Sequence, residues 1–276
     1  MIKGLIVQNS AIIGNKQATI DNVSRLLAPF EGKRFDFITF PEVWACGWCC
    51  ETFKQNAETL ENSETLDFLK QIALDFQATV FGGSFIRKVS ENDYRNTCPV
   101  IDKYGNLRAL YDKMHLFSHK GSEENKYVTP GNILMLVDTG WAKIGLSVCY
   151  DIRYPEIYRE YSKHGAEIFI NSAAWNRNKL EHWLIMHRAR AIENQCYMVV
   201  ADQCGKIKEN EYNLGHSLAA DAWGDVEYTL LEEEGCLEVE LDLDRLKKLR
   251  EDFPLLKDRR DQNFETFNVK EIKLYE

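Results

Sequence analysis

A cysteine that closes a strand and opens a helix is the residue in this chain best placed for nucleophilic chemistry. Lys143-Ile144-Gly145-Leu146-Ser147-Val148 reads as a buried strand, Cys149 ends it, and Pro155 suits the first turn of a helix. A strand–elbow–helix turn of this kind presents a nucleophile beside backbone N–H groups that can stabilise an oxyanion. The alternative is an inert core thiol, since free cysteine is among the most buried residue types; the polar Asp151 and Arg153 that follow weaken it. Two further strand ends carry reactive groups. Phe35-Asp36-Phe37-Ile38-Thr39-Phe40 runs into Pro41, which cannot donate to a ladder, and then into Glu42, which alone reads as a solvated loop carboxylate. Leu110-Tyr111-Asp112-Lys113-Met114-His115-Leu116-Phe117 interleaves Lys113 and His115 with apolar residues, and plain alternation would put both on a wet face.

These residues need a scaffold. Short apolar runs bounded by turn residues predict strands at 4–8, 35–40, 79–86, 97–102, 133–137, 144–148, 168–171, 198–201, 217–220 and 237–241. Helical spacing predicts helices at 18–27, 65–76, 155–163, 180–195 and 243–251. A hairpin turning at Tyr104-Gly105-Asn106 makes at least one sheet partly antiparallel. Ten or more strands exceed what one open twisted sheet usually holds, so the expected fold is α/β: a four-layer α-β-β-α sandwich with two mixed β-sheets. With no repeat, low-complexity tract or Pro/Gly/Ser-rich linker, residues 1–276 are expected to form a single domain, with about 261–276 as a C-terminal extension.

Composition excludes several functions. The chain has 276 residues, with 34 Lys+Arg against 43 Asp+Glu and a net charge of −9, so no general affinity for nucleic acid is expected. No apolar run approaches the ~20 residues of a membrane span, and the N-terminal patch is too short for a signal peptide. Eight cysteines without a secretory signal suggest reduced thiols and a cytoplasmic protein.

Together, Pro41-Glu42, Tyr111-Asp112-Lys113-Met114-His115-Leu116-Phe117 and Cys149-Tyr150-Asp151-Ile152-Arg153-Tyr154-Pro155-Glu156 resemble the three ordered motifs of the nitrilase superfamily of carbon–nitrogen hydrolases. Glu124 to Gly131 resembles the family loop in which a second glutamate precedes a Pro-Gly turn. His182-Trp183 with Ala189 to Asn194 resembles its long helix; Gly215-His216-Ser217, Trp223-Gly224 and Phe253 to Arg260 resemble its C-terminal signatures. The resemblance implies a Glu42-Lys113-Cys149 triad with Glu124 in support, and is nearest to the Nit2-type omega-amidases, which hydrolyse the terminal amide of 2-oxo dicarboxylic acid monoamides. It implies a small amide substrate met by Tyr150, Arg153, Trp175 and His115, and no cofactor or metal. Within it, Arg153 serves either as the cation for the substrate carboxylate or in a structural ion pair, with Glu156 or across a dimer interface. Family members generally pair through the helices after Cys149 and before Asn194. A homodimer is therefore expected, with Tyr154, Tyr158, Tyr161 and Trp183 as surplus aromatic surface.

The chemistry suits these residue types. Amide hydrolysis is eased by a covalent acyl intermediate, and a thiol with pKa near 8.5 needs a base or a cation beside it. Glu42 would take the proton, which requires burial to raise its pKa, while Lys113 would favour the thiolate and the oxyanion. An N-carbamoyl amino acid hydrolase or an aliphatic nitrilase would use the same three residues. Other readings are a Cys149–His115 hydrolase, a zinc site at Cys46-Gly47-Trp48-Cys49-Cys50, and a catalytically silent binding protein. The zinc reading lacks a second ligand pair, and a silent protein has no chemical need to keep all three triad residues.

Overall fold

The computed structural model describes residues 1–119 and 122–260; the expected extension at about 261–276 lies outside the described residues. One seven-stranded sheet contains, in order, Gly235–Leu241, Ile2–Gln8, Phe37–Thr39, Thr79–Phe81, Tyr94–Ile101 and Phe85–Lys88, with Leu107–Asp112 also paired to Tyr94–Ile101. The other, of six strands, runs Val226–Thr229, Leu218–Ala220, Tyr197–Asp202, Ile168–Ala173, Lys143–Val148 and Leu136–Asp138. Each mixes parallel centres with antiparallel flanks: Ile2–Gln8 is parallel to Phe37–Thr39 and antiparallel to Gly235–Leu241.

The sandwich follows from side-chain alternation. Ile6, Phe37 and Phe81 point between the sheets, into one core with residues of the second sheet such as Leu146 and Val199. Their neighbours Leu5, Val7, Ile38 and Val80 point the other way, onto helices α1 (Lys16–Leu27) and α2 (Glu64–Phe76). Both faces are covered, which is why the strands read as continuous apolar runs. Helix α2 shows the matching stripe of Leu66, Leu69, Ile72, Ala73 and Phe76, begins at a Ser63 cap that accepts from the Leu66 N–H (3.0 Å), and ends at left-handed Gln77. Helices α3 (Pro155–Lys163) and α4 (Leu180–Asn194) cover the second sheet, and α5 (Leu243–Asp252) follows the last strand. Among the described residues, no helix is long and apolar enough to cross a membrane.

Two expectations are corrected, and some short strands were not foreseen. The strand expected at 79–86 is two strands, Thr79–Phe81 and Phe85–Lys88, laid along one edge of Tyr94–Ile101. Pro99 lies opposite the break: its carbonyl accepts from Gly82 N–H (2.9 Å), so its missing N–H faces the same side and the ladder cannot continue. The aromatic residues read as surplus surface are mostly core. Tyr158, Tyr161 and Trp183 are buried within the chain itself, Tyr158 packing edge-on against Phe169 (5.1 Å), so they carry no argument for an interface. Short alternating segments escaped the sequence reading: the strand Val226–Thr229 and the ribbons Lys206–Lys208/Glu211–Tyr212 and Ser118–His119/Ser122–Glu123.

Candidate active site

The three strand ends converge. After Thr39 the chain leaves the first sheet, and the Glu42 N–H donates to Ala173 O of the second sheet (3.2 Å), while Gln203 Nε2 donates to Glu42 O (2.6 Å). Just past the strand Leu107–Asp112, the Lys113 N–H still donates to Asn96 O (2.8 Å), so alternation carries on and puts Lys113 on the inward face that buried Tyr111 occupies. Lys113 is 1% exposed, which overturns the wet-face reading. Lys113 Nζ donates to Glu42 Oε1 and to Glu124 Oε2, both at 2.8 Å. Asn96 Nδ2 bridges the same two carboxylates, reaching Glu42 Oε1 at 2.9 Å and Glu124 Oε1 at 3.0 Å. Glu124 is held further by the Phe117 N–H (2.7 Å), and the Trp48 ring centroid lies 4.8 Å from Lys113 Nζ.

Cys149 sits at the end of Lys143–Val148 with φ +49, the left-handed region, and a 3-10 turn over Cys149–Arg153 leads to Pro155. That strained corner is the expected elbow. Asp151 locks it to the lysine loop. Its carboxylate accepts from Tyr111 Oη (2.7 Å), His115 N (2.9 Å) and Val148 N (3.0 Å), and pairs with His115 Nδ1 at 2.9 Å.

Charge in the site is set by burial and pairing. Burial pushes Glu42 up to about 7, Lys113 opposes the rise and Glu124 adds to it. Burial also opposes the charge on Lys113, but Glu124 and Glu42 outweigh it and hold its pKa well above the ordinary value. Cys149 is raised well above a free thiol, first by burial and then by Glu42, with Lys113 pulling the other way. Lys113 therefore does not hold a resting thiolate; the sulfur stays protonated beside a carboxylate able to receive that proton. Among the described residues, Glu42 Oε2 has no hydrogen-bond partner, and the Cys149 thiol is one of the groups that set the carboxyl's pKa.

The sulfur opens onto a cavity of about 330 Å³ whose walls include Trp48, Phe117, Tyr150, Arg153, Trp175 and Lys179. Arg153 lies 4.9 Å from the Trp175 ring and 5.7 Å from the Tyr150 ring; among the described residues it forms no ion pair, with Glu156 or any other carboxylate. Tyr150, Arg153 and Trp175 thus share the cavity with Cys149. His115 is corrected: it does not line the cavity but stacks on Tyr154 (3.6 Å, 12°) and is tied to Asp151, an arrangement that also gives a Cys149–His115 pair no support. Around the Cys46–Cys50 segment, burial pushes both Cys46 and Cys50 up to about 12, and among the described residues no group of three or more His, Cys, Asp or Glu is arranged to hold a metal ion.

The carbon-nitrogen hydrolase family model matches residues 6–251. The chain belongs to the carbon–nitrogen hydrolase family. It is 36% identical to the 2-oxoglutaramate amidase of Paenarthrobacter nicotinovorans, over 87% of this chain and 84% of that protein. It is 28% identical to omega-amidase NIT2 of Xenopus tropicalis over 94% of both chains. Among solved structures, Nit3 of Saccharomyces cerevisiae, a member of branch 10 of the nitrilase superfamily, superposes with a TM-score of 0.84 at 26% identity, covering 94% of this chain and 96% of that one. Within this family fold, sequence reasoning missed Asn96, Lys179, Trp48 and Phe117. Asn96 had one visible signal, an amide inside an apolar strand; Lys179 had another, its place just beyond the end of Ile168–Ala173.

Proposed function

We propose that this protein is an omega-amidase-like hydrolase. It would cleave the terminal amide of a small carboxylated substrate, of the 2-oxoglutaramate or 2-oxosuccinamate type, through a cysteine thioester. The observation that carries the proposal is the buried Glu42–Lys113–Glu124 cluster beside Cys149 at the floor of a cavity walled by Arg153. The family match and the relatives named as amidases support the same reaction class.

In this mechanism Cys149 Sγ attacks the amide carbonyl as its proton passes to Glu42. A carboxyl with a pKa of about 7 is matched to such a shuttle at neutral pH. The tetrahedral oxygen takes hydrogen bonds from Lys113 and the Tyr150 N–H, donors typically worth about 3–4 kcal/mol each in oxyanion sites. Glu42 returns the proton to the departing nitrogen, ammonia leaves, and a thioester remains. Water, deprotonated by Glu42, adds to the thioester; the sulfur leaves and recovers its proton, and the acid is released. Glu124 and Asn96 act as positioning residues that hold Lys113 and Glu42 in register. The eight unpaired thiols support a reducing, cytoplasmic setting.

Ammonia release from 2-oxoglutaramate, 2-oxosuccinamate, an N-carbamoyl amino acid and an aliphatic nitrile tests the proposal, together with intact-mass detection of an acyl adduct on Cys149. Turnover of the 2-oxo amides with an adduct that Cys149→Ala abolishes is the expected result. Preference for the carbamoyl compound or the nitrile would replace the substrate class. An adduct that survives in Cys149→Ala would overturn the mechanism.

A further inference from the structure

The loop after Ile168–Ala173 turns at Asn176, whose side chain accepts from the Asn178 N–H (3.1 Å), and the 3-10 turn Arg177–Lys179 that follows sets Lys179 in the cavity wall. Its Nζ stands 5.0 Å from the Phe117 ring centroid and 6.0 Å from that of Trp175, the ring that Arg153 approaches from 4.9 Å. Two cations thus share one indole in the chamber that holds Cys149. Among the described residues neither forms an ion pair, and the carboxylate lining the same cavity, Glu211, is held by Lys208 at 3.1 Å. Burial, and then Arg153, lower the pKa of Lys179. Like charges left together in a partly desolvated wall destabilise each other, and an anion placed between them relieves the cost.

Geometry separates the tasks of the two cations. A guanidinium engages a carboxylate through two parallel hydrogen bonds, whereas an ammonium acts as a point charge that serves one further acceptor. A ligand with acceptors on adjacent carbons, as in a 2-oxo acid, satisfies both at once.

Resting on the amidase reading above, we propose that Lys179 is a specificity-determining residue that forms, with Arg153, a two-cation subsite for the 2-oxo acid end of the substrate. The subsite sets which amide is presented to Cys149, not how the bond is cleaved. Its signature is therefore in KM for anionic substrates rather than in kcat.

The test compares wild type, Lys179→Met and Lys179→Arg on 2-oxoglutaramate and on pentanamide, an uncharged amide of the same chain length. Lys179→Met is expected to raise KM for 2-oxoglutaramate about tenfold or more, well beyond its effect on kcat. The preference for the anion over pentanamide should shrink by a similar factor, and Lys179→Arg should restore most of it. Thermal stabilisation by 2-oxoglutarate, the expected product, should be lost with Met and kept with Arg, which gives a readout independent of turnover. An anion preference undisturbed in Lys179→Met, or an equal loss on both amides without rescue by Arg, overturns the subsite alone. Ammonia release from neither amide by the wild type overturns the amidase reading and the subsite with it.

Discussion

At the scale of single residues, burial keeps the Cys149 thiol protonated and raises the Glu42 carboxyl to about 7, where it can exchange a proton near neutrality, while the Lys113 ammonium stays charged because Glu124 and Glu42 surround it. Cys149→Ala should therefore abolish turnover, by about a thousandfold or more, with little change in the unfolding midpoint. Glu42→Gln should lower kcat by roughly 10²–10⁴-fold, the usual worth of a general base. The pH dependence has a definite sign. A base works deprotonated, so with Glu42 at about 7 the acid limb of kcat/KM should fall through that pH, well above the range of an ordinary carboxyl, and steady-state rates from pH 5 to 9 check it. The same raised pKa means that folding takes up a proton at Glu42 between its ordinary value of 4.5 and about 7. Its contribution to stability therefore falls as pH rises across that window.

Secondary-structure elements supply the positions, and two residues that touch no substrate in the proposed mechanism carry that load. Asp151 fastens the elbow to the lysine loop by accepting from Tyr111, His115 and Val148. Asp151→Ala leaves those donors buried without an acceptor and should cost about 3–5 kcal/mol in urea unfolding, with a fall in kcat as Lys113 and Cys149 lose their common anchor. Gly83 has φ +67, and a Cβ there would run into the Pro41 carbonyl, next to Glu42. Gly83→Ala should cost about 2 kcal/mol or more and lower kcat through a displaced Glu42, which unfolding curves and steady-state rates measure together. Element types were legible in advance because apolar period reports burial: among the described residues, all five α-helices fall where the 3.6-residue spacing puts them. The strand at 79–86 did not, since its break answers to Pro99, a residue of a different strand.

For the molecule as a whole, the homodimer remains an expectation on altered grounds. The aromatic residues first read as surplus surface belong to the core, but α3 and α4 still border an open groove lined by Pro155, Arg159, Ile192, Glu193 and Leu255, with Ile192 43% exposed. Sedimentation at micromolar concentration should give twice the chain mass, and Ile192→Glu should shift it toward the monomer.

The order of Glu42, Lys113 and Cys149, each at the end of an apolar run, needed only the sequence, because a strand that must be buried on both faces announces itself residue by residue and its end is where polar groups can begin. Their meeting in one buried cluster depended on the stacking of two sheets, which brings together positions more than a hundred residues apart. The roles of Asn96, Asp151 and Lys179 depended on the tertiary structure for the same reason: each draws its role from partners on other elements, and no local spacing encodes a hydrogen bond or a shared ring across the sandwich.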